Sequence, residues 1–313
     1  MKNSLNIIFM GTPDFAVPSL KALHQSDHFI KLVVTQPDRP KGRGRKMVAP
    51  PVKQVASNYG YACAQPDRVT DPSFAEMLAD HDPDLFVVIA LGHILPEKLL
   101  KIPRFGAVNI HASLRPKYRG PAPIQWAIIN GDKETGVTTM LMDKGMDTGA
   151  ILLADRTPIQ TDDTTAELQD RLAEMGAGLL IETLAQMAAG SLKPLPQDHQ
   201  QATYAPLLKK ADGRIKWETS AQAIEAFVRG MSPWPGAFTF ADEKRFKILK
   251  ADTIATQVDE PPGTVVQGFP DELRVATGEG VLTILEIPGA SGKRLQIRDF
   301  LRGHPIEVGT VFN

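Results

Sequence analysis

The sequence predicts an α/β protein in which a mostly parallel sheet is followed by a small C-terminal β-barrel. In the first half of the chain, short apolar runs alternate with segments of helical periodicity, a pattern typical of βα units. The apolar runs lack clear alternation with polar residues, which indicates a sheet covered on both faces. Beyond Leu208, short β-like segments are separated by Gly, Pro and Asp turns, which favours a small barrel.

The elements of the first half follow from these patterns in chain order. The apolar runs predict five strands, Leu5–Met10, Phe29–Thr35, Leu85–Ala90, Ala107–Ile110 and Val137–Met142. Helical periodicity predicts four helices, Asp14–Gln25, Pro51–Tyr59, Ser73–Asp80 and the long amphipathic Thr164–Gly190. Asp71 or Ser73 is the expected N-cap of the third helix, because both residue types accept hydrogen bonds from the first N–H groups of a helix.

The composition changes after Gly190. The segment SLKPLPQDHQQATYAPL (191–207) is rich in Pro and Gln and has no periodicity, so we predict an extended linker between domains at residues 1–190 and 208–313. In the second domain a short helix is expected at Ala221–Arg229. It precedes five predicted strands, Ala237–Phe240, Phe246–Ala251, Gly263–Gln267, Leu273–Ala276 and Val281–Ile287.

The overall composition is that of an ordinary soluble protein, with 42% hydrophobic residues, 23% charged residues and a net charge of −1. This balance gives no global signature of a nucleic-acid or membrane binder, so a basic surface would have to be local. The N-terminal apolar run is too short for a signal peptide and no run of about 18 apolar residues occurs, so we expect a cytoplasmic protein with no membrane partner. The single cysteine, Cys63, excludes an internal disulfide and a Cys-rich zinc site, and a buried, unreactive thiol is expected.

Two segments that follow predicted strands carry groups suited to anions. GTPDFA (Gly11–Ala16) lacks the repeated glycines of a dinucleotide fingerprint, so it indicates either a tight turn or an anion site at a helix N-terminus. In TQPDRPKGRGRK (Thr35–Lys46) one acid accompanies five cations, namely Arg39, Lys41, Arg43, Arg45 and Lys46. We expect a mobile loop at the carboxyl edge of the sheet, which is either simply solvated or contacts phosphates.

Asn109 and His111 stand at the end of a predicted strand. Residues two apart on a strand point the same way, so the amide and the imidazole are expected on one face at the carboxyl edge of the sheet. An amide N–H can hold a developing oxyanion, and an imidazole can polarise it or move a proton. The alternative is a hydrogen-bonded pair at a strand end, and the rigid, proline-rich loop that follows favours a reaction site instead.

A third candidate lies in MDKGMDTGAIL (Met142–Leu152). Asp143 and Asp147 flank a glycine after a predicted strand, and a carboxylate held there can orient an imidazole and accept a proton. The alternative is ordinary turn chemistry. The sequence contains no serine nucleophile elbow, zinc motif or phosphate-binding P-loop that would compete for a catalytic role.

Taken together, Asn109, His111, the run Ser113–Gly120 and Asp147 resemble the folate-dependent formyltransferases. SLRPKYRGPAP resembles the signature loop of that family, and GTPDFA, QPDRPKGRGRK and DKGMDTG match further motifs of it in the expected order. The resemblance spans the chain. It implies a Rossmann-like catalytic domain at residues 1–190 and an OB-like tRNA-binding domain at residues 208–313.

The resemblance implies transfer of a formyl group from 10-formyltetrahydrofolate, a co-substrate used without a metal, to the α-amine of methionyl-tRNA. Asn109 and His111 would stabilise the oxyanion, a role in which losing one donor typically costs about 10²–10³ in rate. Asp147 would pair with His111, raise its proton affinity and relay the proton lost by the amine. Folate would contact two segments, through Leu91, Gly92, Ile94, Ser113, Leu114, Arg115 and Pro116.

Two residues depart from the usual pattern of the family. Ala112 stands where Gly usually follows the histidine, and Arg115 replaces an apolar residue, commonly Leu. Neither departure removes a catalytic group. Arg115 nevertheless bears on how the signature loop packs and on how tightly folate is held.

The resemblance also assigns a partner to the basic segment. In the family the matching loop enters the acceptor end of tRNA, so Arg43 is the expected key contact, together with Lys41, Arg45 and Lys46. The C-terminal domain would hold the body of the tRNA. Its candidate contacts, which alternatively form a solvated linker end, are Lys209, Lys210, Arg214 and Lys216. We expect a monomer.

Three other functions suit parts of the pattern. A formyltransferase acting on a small amine, such as an amino-sugar nucleotide or glycinamide ribonucleotide, would use the same Asn, His and Asp but would not need the basic segment or the C-terminal domain. A formyltetrahydrofolate hydrolase would use water in place of the amine. A non-catalytic RNA- or folate-binding protein would not need the three side chains together.

Overall fold

The structure is a computed structural model of the chain that describes residues 4–42, 44, 46–289 and 292–313. The described residues divide into two compact units, each built from three stretches of chain. The first unit takes those within Met1–Gly120, Glu134–Thr157 and Gln169–Ala205. The second takes those within Pro121–Lys133, Pro158–Leu168 and Pro206–Asn313.

A seven-stranded sheet organises the first unit. The strands of the first unit, in chain order, are β1 (Asn6–Gly11), β2 (Phe29–Val34), β3 (Arg39–Lys41), β4 (Lys46–Val48), β5 (Cys63–Ala64), β6 (Leu85–Ile89), β7 (Ala107–His111), β8 (Glu134–Leu141) and β9 (Ile151–Pro158). The order across the sheet is β5-β2-β1-β6-β7-β8-β9, and β3 pairs with β4 outside it. Neighbours from β5 to β7 are parallel, whereas β8 runs antiparallel to β7. The predicted mostly parallel sheet is confirmed.

The helices of the described residues are α1 (Val17–His24), α2 (Pro51–Asn58), α3 (Pro72–Asp80), α4 (Glu97–Leu100), α5 (Pro123–Ile129), α6 (Thr165–Ala189), α7 (Ala221–Gly230) and α8 (Ile297–Gly303). The predicted helix Asp14–Gln25 is divided into a 3-10 turn, Asp14–Ala16, and α1, which has a proline in its first turn, where the missing N–H is tolerated. Asp71 is the N-cap of α3, because its carboxylate accepts the N–H of Ser73 at 3.0 Å. Within the described residues, no helix is both long enough and apolar enough to traverse a membrane.

The central strands are buried on both faces. In β1, Ile7, Ile8, Phe9 and Met10 are all inaccessible to solvent, and every residue of β6 is buried. Successive side chains of a strand point to opposite faces, so complete burial requires cover on both sides of the sheet. This confirms the interpretation of the unalternating apolar runs.

The second unit contains antiparallel sheet, as predicted for the C-terminal domain. Its strands are β10 (Ala237–Ala241), β11 (Lys244–Ile248), β12 (Lys250–Ile254), β13 (Val265–Gln267), β14 (Arg274–Ala276), β15 (Val281–Pro288) and β16 (Arg294–Gln296). β10 pairs with β11, and a separate sheet has the order β12-β15-β14-β13 with β16 also on β15. The single strand predicted at Phe246–Ala251 is wrong, since the chain changes sheets between β11 and β12 and a register irregularity follows at Lys250.

The predicted extended linker 191–207 contains a 3-10 turn at His199–Gln201 and is hydrogen-bonded to other parts of the chain. Leu195 exchanges main-chain hydrogen bonds of 2.8 Å with Ile151, and Ala205 donates to Arg119 at 2.7 Å. These contacts lie within the first unit, so the segment adds to that unit up to Ala205. Pattern alone cannot show this attachment, because the segment has no periodicity of its own.

Cys63 lies in β5 and is half-buried, whereas the sequence predicted a buried thiol. Burial nevertheless raises its pKa above the ordinary value, against an opposing effect of the Lys53 ammonium and with a smaller contribution from the Asp38 carboxylate. A raised pKa keeps the thiol protonated and therefore weakly nucleophilic at neutral pH.

Candidate active site

Asn109 and His111 occupy the carboxyl end of β7, on the same side of the strand. The Asn109 Nδ2 donates to the carbonyl of Val88, the partner residue on β6, at 3.0 Å. Its Oδ1 is buried and accepts no hydrogen bond from the described residues. A buried amide with unused hydrogen-bonding capacity is costly unless a ligand or water completes it. The amide is therefore suited to a ligand's polar group.

His111 is buried, and each of its two ring nitrogens faces an oxygen atom. Its Nε2 lies 2.9 Å from the carbonyl oxygen of Tyr118, which can only accept, so Nε2 carries a proton. Its Nδ1 faces the Oδ2 of Asp147 at 3.6 Å, which is longer than a hydrogen bond. Burial lowers the pKa of His111 from 6.5 to about 4, the Asp147 carboxylate raises it, and the Arg115 guanidinium lowers it. Asp147 thus raises the pKa of His111 as predicted, but burial lowers that pKa by more.

Asp147 lies in a strained turn that several hydrogen bonds hold in place. Its φ of 56° lies in the left-handed region, which side chains other than glycine seldom adopt. The Gly120 N–H donates to its Oδ2 at 2.8 Å. Its main-chain carbonyl accepts from Arg115 Nη2 at 2.7 Å and from Gln197 Nε2 at 3.0 Å. The turn thus holds the carboxylate beside His111, with 20% of its side chain exposed.

The signature loop is stabilised by its own side chains. Ser113 Oγ donates to the Lys117 carbonyl at 2.7 Å, and Arg115 Nη1 donates to the same oxygen at 3.0 Å. Thr138 of β8 donates to the Ser113 carbonyl at 2.7 Å. The side chains of Ser113 and Arg115 are therefore buried and used inside the protein, whereas Leu114 and Pro116 are partly exposed.

The turn after β6 is fixed by residues from two of the sequence motifs. The Leu91 carbonyl accepts from Thr12 of GTPDFA at 3.1 Å and from Gln36 of the basic segment at 3.2 Å. Gly92 has a φ of +82°, and a Cβ there would lie 2.5 Å from Gln36 Nε2. Ile94 is 80% exposed. The turn presents backbone and an apolar side chain beside the end of β7.

Arg119 connects the signature loop with the 191–207 segment. Its Nη2 lies 2.9 Å from Gln197 Oε1 and 3.0 Å from His199 Nδ1, and its Nε is buried with no hydrogen-bond partner within the described residues. Gln197 in turn donates to the carbonyls of Asp147 and Gly149, at 3.0 and 2.7 Å. Neither Arg119 nor Gln197 was a candidate from the sequence. Arg119 lies in a motif that was already recognised, but no local signal marks Gln197.

The basic segment is a hairpin where it is described. Arg39–Lys41 pairs antiparallel with Lys46–Val48, so these residues form strands and not the irregular loop that the sequence predicted. Arg43 and Arg45 lie outside the described residues. Asp38, the one acid of the segment, pairs with Lys53 of α2 at 2.8 Å, and this contact lowers the pKa of its carboxyl.

The four cations proposed for the C-terminal domain lie around a 3-10 turn at Lys210–Gly213. All four, Lys209, Lys210, Arg214 and Lys216, are exposed. The Arg214 guanidinium also lies 5.6 Å from the ring centre of Phe240. Arg245 approaches Phe238 of the same hairpin, at 3.8 Å. Cations held over these aromatic rings extend the basic surface beyond the four residues predicted.

The turn that carries Asp147 has no room for a side chain at Gly149. A Cβ there would collide with the main-chain carbonyl of Leu141, so we expect Gly149→Ala to lower the free energy of unfolding by about 1–3 kcal/mol and to displace Asp147. Urea unfolding followed by circular dichroism measures the change. Gly178→Ala is the matched control, because no atom lies within 4 Å of a Cβ at that helical position, and it should be neutral or stabilising. Equal stability of the two variants would contradict the prediction.

Two sequence profiles of known families match this chain. Residues 5–184 match the sequence profile described as Formyl transferase, and residues 207–305 match that of the Formyl transferase, C-terminal domain. A curated relative, the methionyl-tRNA formyltransferase of Caldanaerobacter subterraneus subsp. tengcongensis, is 48% identical over 98% of this chain and 99% of its own length.

Solved structures share the fold at lower identity. HypX from Aquifex aeolicus in complex with tetrahydrofolic acid has a TM-score of 0.62 at 18% identity, covering 95% of this chain, which spans 47% of HypX. The N-formyltransferase from Helicobacter canadensis in complex with folinic acid and dTDP-3-aminofucose has a TM-score of 0.66 at 17% identity, covering 90% of this chain and 99% of its own. At these identities the likeness supports the fold alone.

Proposed function

The chain belongs to the formyl transferase family, and on that premise we propose that it transfers the formyl group of 10-formyltetrahydrofolate to the α-amino group of methionyl-initiator tRNA. The observation that carries the proposal is the convergence of Asn109, His111 and Asp147 at one edge of the sheet. The nearly full-length similarity to a curated methionyl-tRNA formyltransferase supports the acceptor. The product would serve translation initiation.

The reaction needs a neutral amine, a donor for the charge that develops on the formyl oxygen, and an acceptor for the proton that the amine loses. Bound folate supplies an activated formyl carbon on nitrogen. As the amine nitrogen bonds to that carbon, the carbon–nitrogen bond to folate breaks and the folate nitrogen takes up a proton. Electrostatic stabilisation of the developing charge usually contributes more to the rate of such reactions than any other single effect.

The three side chains divide this work. One Nδ2 hydrogen of Asn109 is used by Val88, so the second is free to donate to the formyl oxygen, with His111 nearby as a polarising group. The contacts of the Asp147 carboxylate fall on Oδ2. Its Oδ1 is thus the oxygen best placed to accept the amine proton, directly or through a water. The protonated Asp147 carboxyl, with His111 beside it, then returns a proton to the departing folate nitrogen, which balances the step.

The residues around the site suit a folate. Leu91, Gly92 and Ile94 present main-chain groups and an exposed apolar side chain, which fits a flat heterocycle with polar edges. Leu114 and Pro116 contribute partly exposed apolar surface. The side chains of Ser113 and Arg115 are occupied inside the protein, so any contact with folate would come from their main chain.

We also propose that basic residues hold the tRNA. Lys41, Arg43, Arg45 and Lys46 would contact its acceptor end, and the exposed cations of the domain at 208–313 its body. The domain at 1–190 would be catalytic, joined through 191–207. An acceptor as small as an amino-sugar nucleotide leaves both basic surfaces without a role.

Arg43→Ala is expected to lower the affinity for methionyl-tRNA and to reduce the slope of log affinity against log salt by about 1, since one phosphate contact is lost. Folate binding should persist. Lys31→Ala is the matched control, because it removes an exposed cation near the opposite end of β2. If both variants bind tRNA with the wild-type salt dependence, the segment is merely solvated.

A competition between acceptors tests the proposed function. Purified protein and 10-formyltetrahydrofolate are supplied with methionyl-tRNA, an amino-sugar nucleotide or glycinamide ribonucleotide, and the formylated products are separated. The proposal expects formylated methionyl-tRNA at the highest rate. Turnover of a small amine without reaction of the tRNA would replace this function with that of a small-amine formyltransferase.

A further inference from the structure

We propose that Arg115 is a positioning residue for formyl transfer: its guanidinium clamps the Asp147 turn to the signature loop and places a positive charge beside the Asp147–His111 pair, so that the pair is ready to accept a proton. The role in catalysis rests on the proposed function. The clamp and the charge state of His111 do not, since both are properties of the protein without substrate.

The clamp is visible in the contacts of the guanidinium. Nη1 donates to the Lys117 carbonyl at 3.0 Å, and Nη2 donates to the Asp147 carbonyl at 2.7 Å. One rigid planar group thus joins two loops that are about thirty residues apart in the chain. An apolar side chain at this position could make neither bond.

Burial is the main reason why the His111 ring is neutral, and the guanidinium of Arg115 acts in the same direction. Arg115 has none of its side chain exposed, and its Nη2 lies 3.5 Å from Asp147 Oδ2. Arg119 is the second buried cation and acts electrostatically on Arg115. Asp147 is the carboxylate that faces this group, and the remaining partner of the ring is the neutral Tyr118 carbonyl. The site already holds two positive guanidinium groups and one negative carboxylate. A protonated His111 would therefore add a third cation to a poorly solvated site.

The guanidinium itself stays charged. Burial lowers the pKa of Arg115 to about 10, with Asp147 raising it and Arg119 lowering it, so the group is protonated throughout the neutral range. Its charge therefore acts on His111 at every pH at which the enzyme would work. Among the described residues, Arg115 Nε is buried without a partner, as expected for a side chain held by its two terminal nitrogens.

Gln197 provides a control that separates the clamp from the charge. Its Nε2 donates to the same Asp147 carbonyl as Arg115, at 3.0 Å, but the side chain is neutral. Gln197→Leu should loosen the Asp147 turn, and although it also removes an acceptor of Arg119, it leaves both guanidinium charges in place. Arg115→Leu should loosen the turn and also remove one of these charges. Arg115→Lys keeps the charge but cannot reach two carbonyls with a planar fork.

The test is a histidine titration of the full chain by NMR, with ¹³C at Cε1. The chain has seven histidines, and His111→Asn identifies the signal of interest by its loss. We expect His111 to titrate below 6.5 in the wild type and about one pH unit higher in Arg115→Leu, because a neighbouring cation has been removed. Arg115→Lys and Gln197→Leu should titrate near the wild-type value. Arg115→Met provides a second apolar variant should the leucine variant not fold.

Single-turnover rates complete the comparison. Formyl transfer should fall by about 10-fold in Arg115→Leu and in Gln197→Leu, since both allow Asp147 to move. Only Arg115→Leu should also move the acid limb of the rate to higher pH, because protonated His111 cannot accept a proton. An unchanged His111 titration in Arg115→Leu would overturn the proposal, and so would an equal shift in Gln197→Leu. The titration needs no turnover, so absence of formyl transfer would count against the proposed function and not against this one.

Discussion

Replacement of Asn109 by Ala is expected to lower kcat/KM for formyl transfer by about 10²–10³-fold, because it removes a donor aimed at the developing charge. The Nδ2 group donates to Val88 with one hydrogen, which leaves its second hydrogen as the donor that the proposed mechanism uses at the buried end of β7. The Val88 contact is lost as well, so a stability measurement accompanies the kinetics.

The control for this variant is Asn58→Ala, which removes an exposed amide at the end of α2, away from the carboxyl edge of β7. It should leave kcat/KM unchanged. A folded Asn109→Ala protein with wild-type kcat/KM would show that the amide only joins β7 to β6, which is the structural alternative raised by the sequence.

Replacement of Asp147 by Asn is expected to lower kcat by about 10²–10⁴-fold, the range associated with losing a general base. Asn is nearly the same shape, so the turn can persist while the charge and the proton acceptor are lost. The measurement is single-turnover formylation with both substrates saturating, so that binding does not limit the rate.

Asp143→Asn is the matched control for Asp147. Asp143 lies in the same turn, where its Oδ1 accepts from the Gly145 N–H at 2.9 Å and from Thr148 Oγ1 at 2.6 Å. These are turn contacts, so the rate should be little affected. Equal losses in the two variants would mean that the turn, and not the charge beside His111, governs the reaction.

The sequence predicted the fold where burial dictates the pattern. The apolar runs of β1 and β6 do not alternate because both faces of these strands are covered, and their short length favours strands over buried helices. β9 escaped prediction because it is an edge strand whose middle is exposed and charged. α4 and α8 have four and seven residues, too few for a helical period to be recognised.

The site was predictable where a motif is local. Asn109 and His111 are two residues apart on one strand, so their common face follows from strand geometry alone. Their pairing with Asp147 came from resemblance and not from spacing. The contacts that tune the pair could not be predicted, because Arg115 reaches Asp147 across 32 residues and Gln197 reaches it across 50.

Arg115 shows most clearly the difference between what a local motif predicts and what only long-range contacts reveal. As a departure from the family's usual apolar residue, it was expected to affect the packing of the loop and the binding of folate. The structure shows the effect on packing, because the side chain is buried against the Lys117 and Asp147 carbonyls, and the effect on folate stays a prediction. A buried cation needs an acceptor, and only the fold shows which residues supply it.

Side-by-side formylation of charged initiator and elongator tRNA tests the central claim most directly. Purified full-length protein is incubated with 10-formyltetrahydrofolate and each methionyl-tRNA, and formyl-methionyl-tRNA and tetrahydrofolate are quantified together. We expect formylation of the initiator tRNA, with one tetrahydrofolate released for each formyl group transferred. Release of tetrahydrofolate without formylated tRNA would identify a hydrolase, and binding of either substrate without turnover would identify a non-catalytic protein; both results would contradict the account.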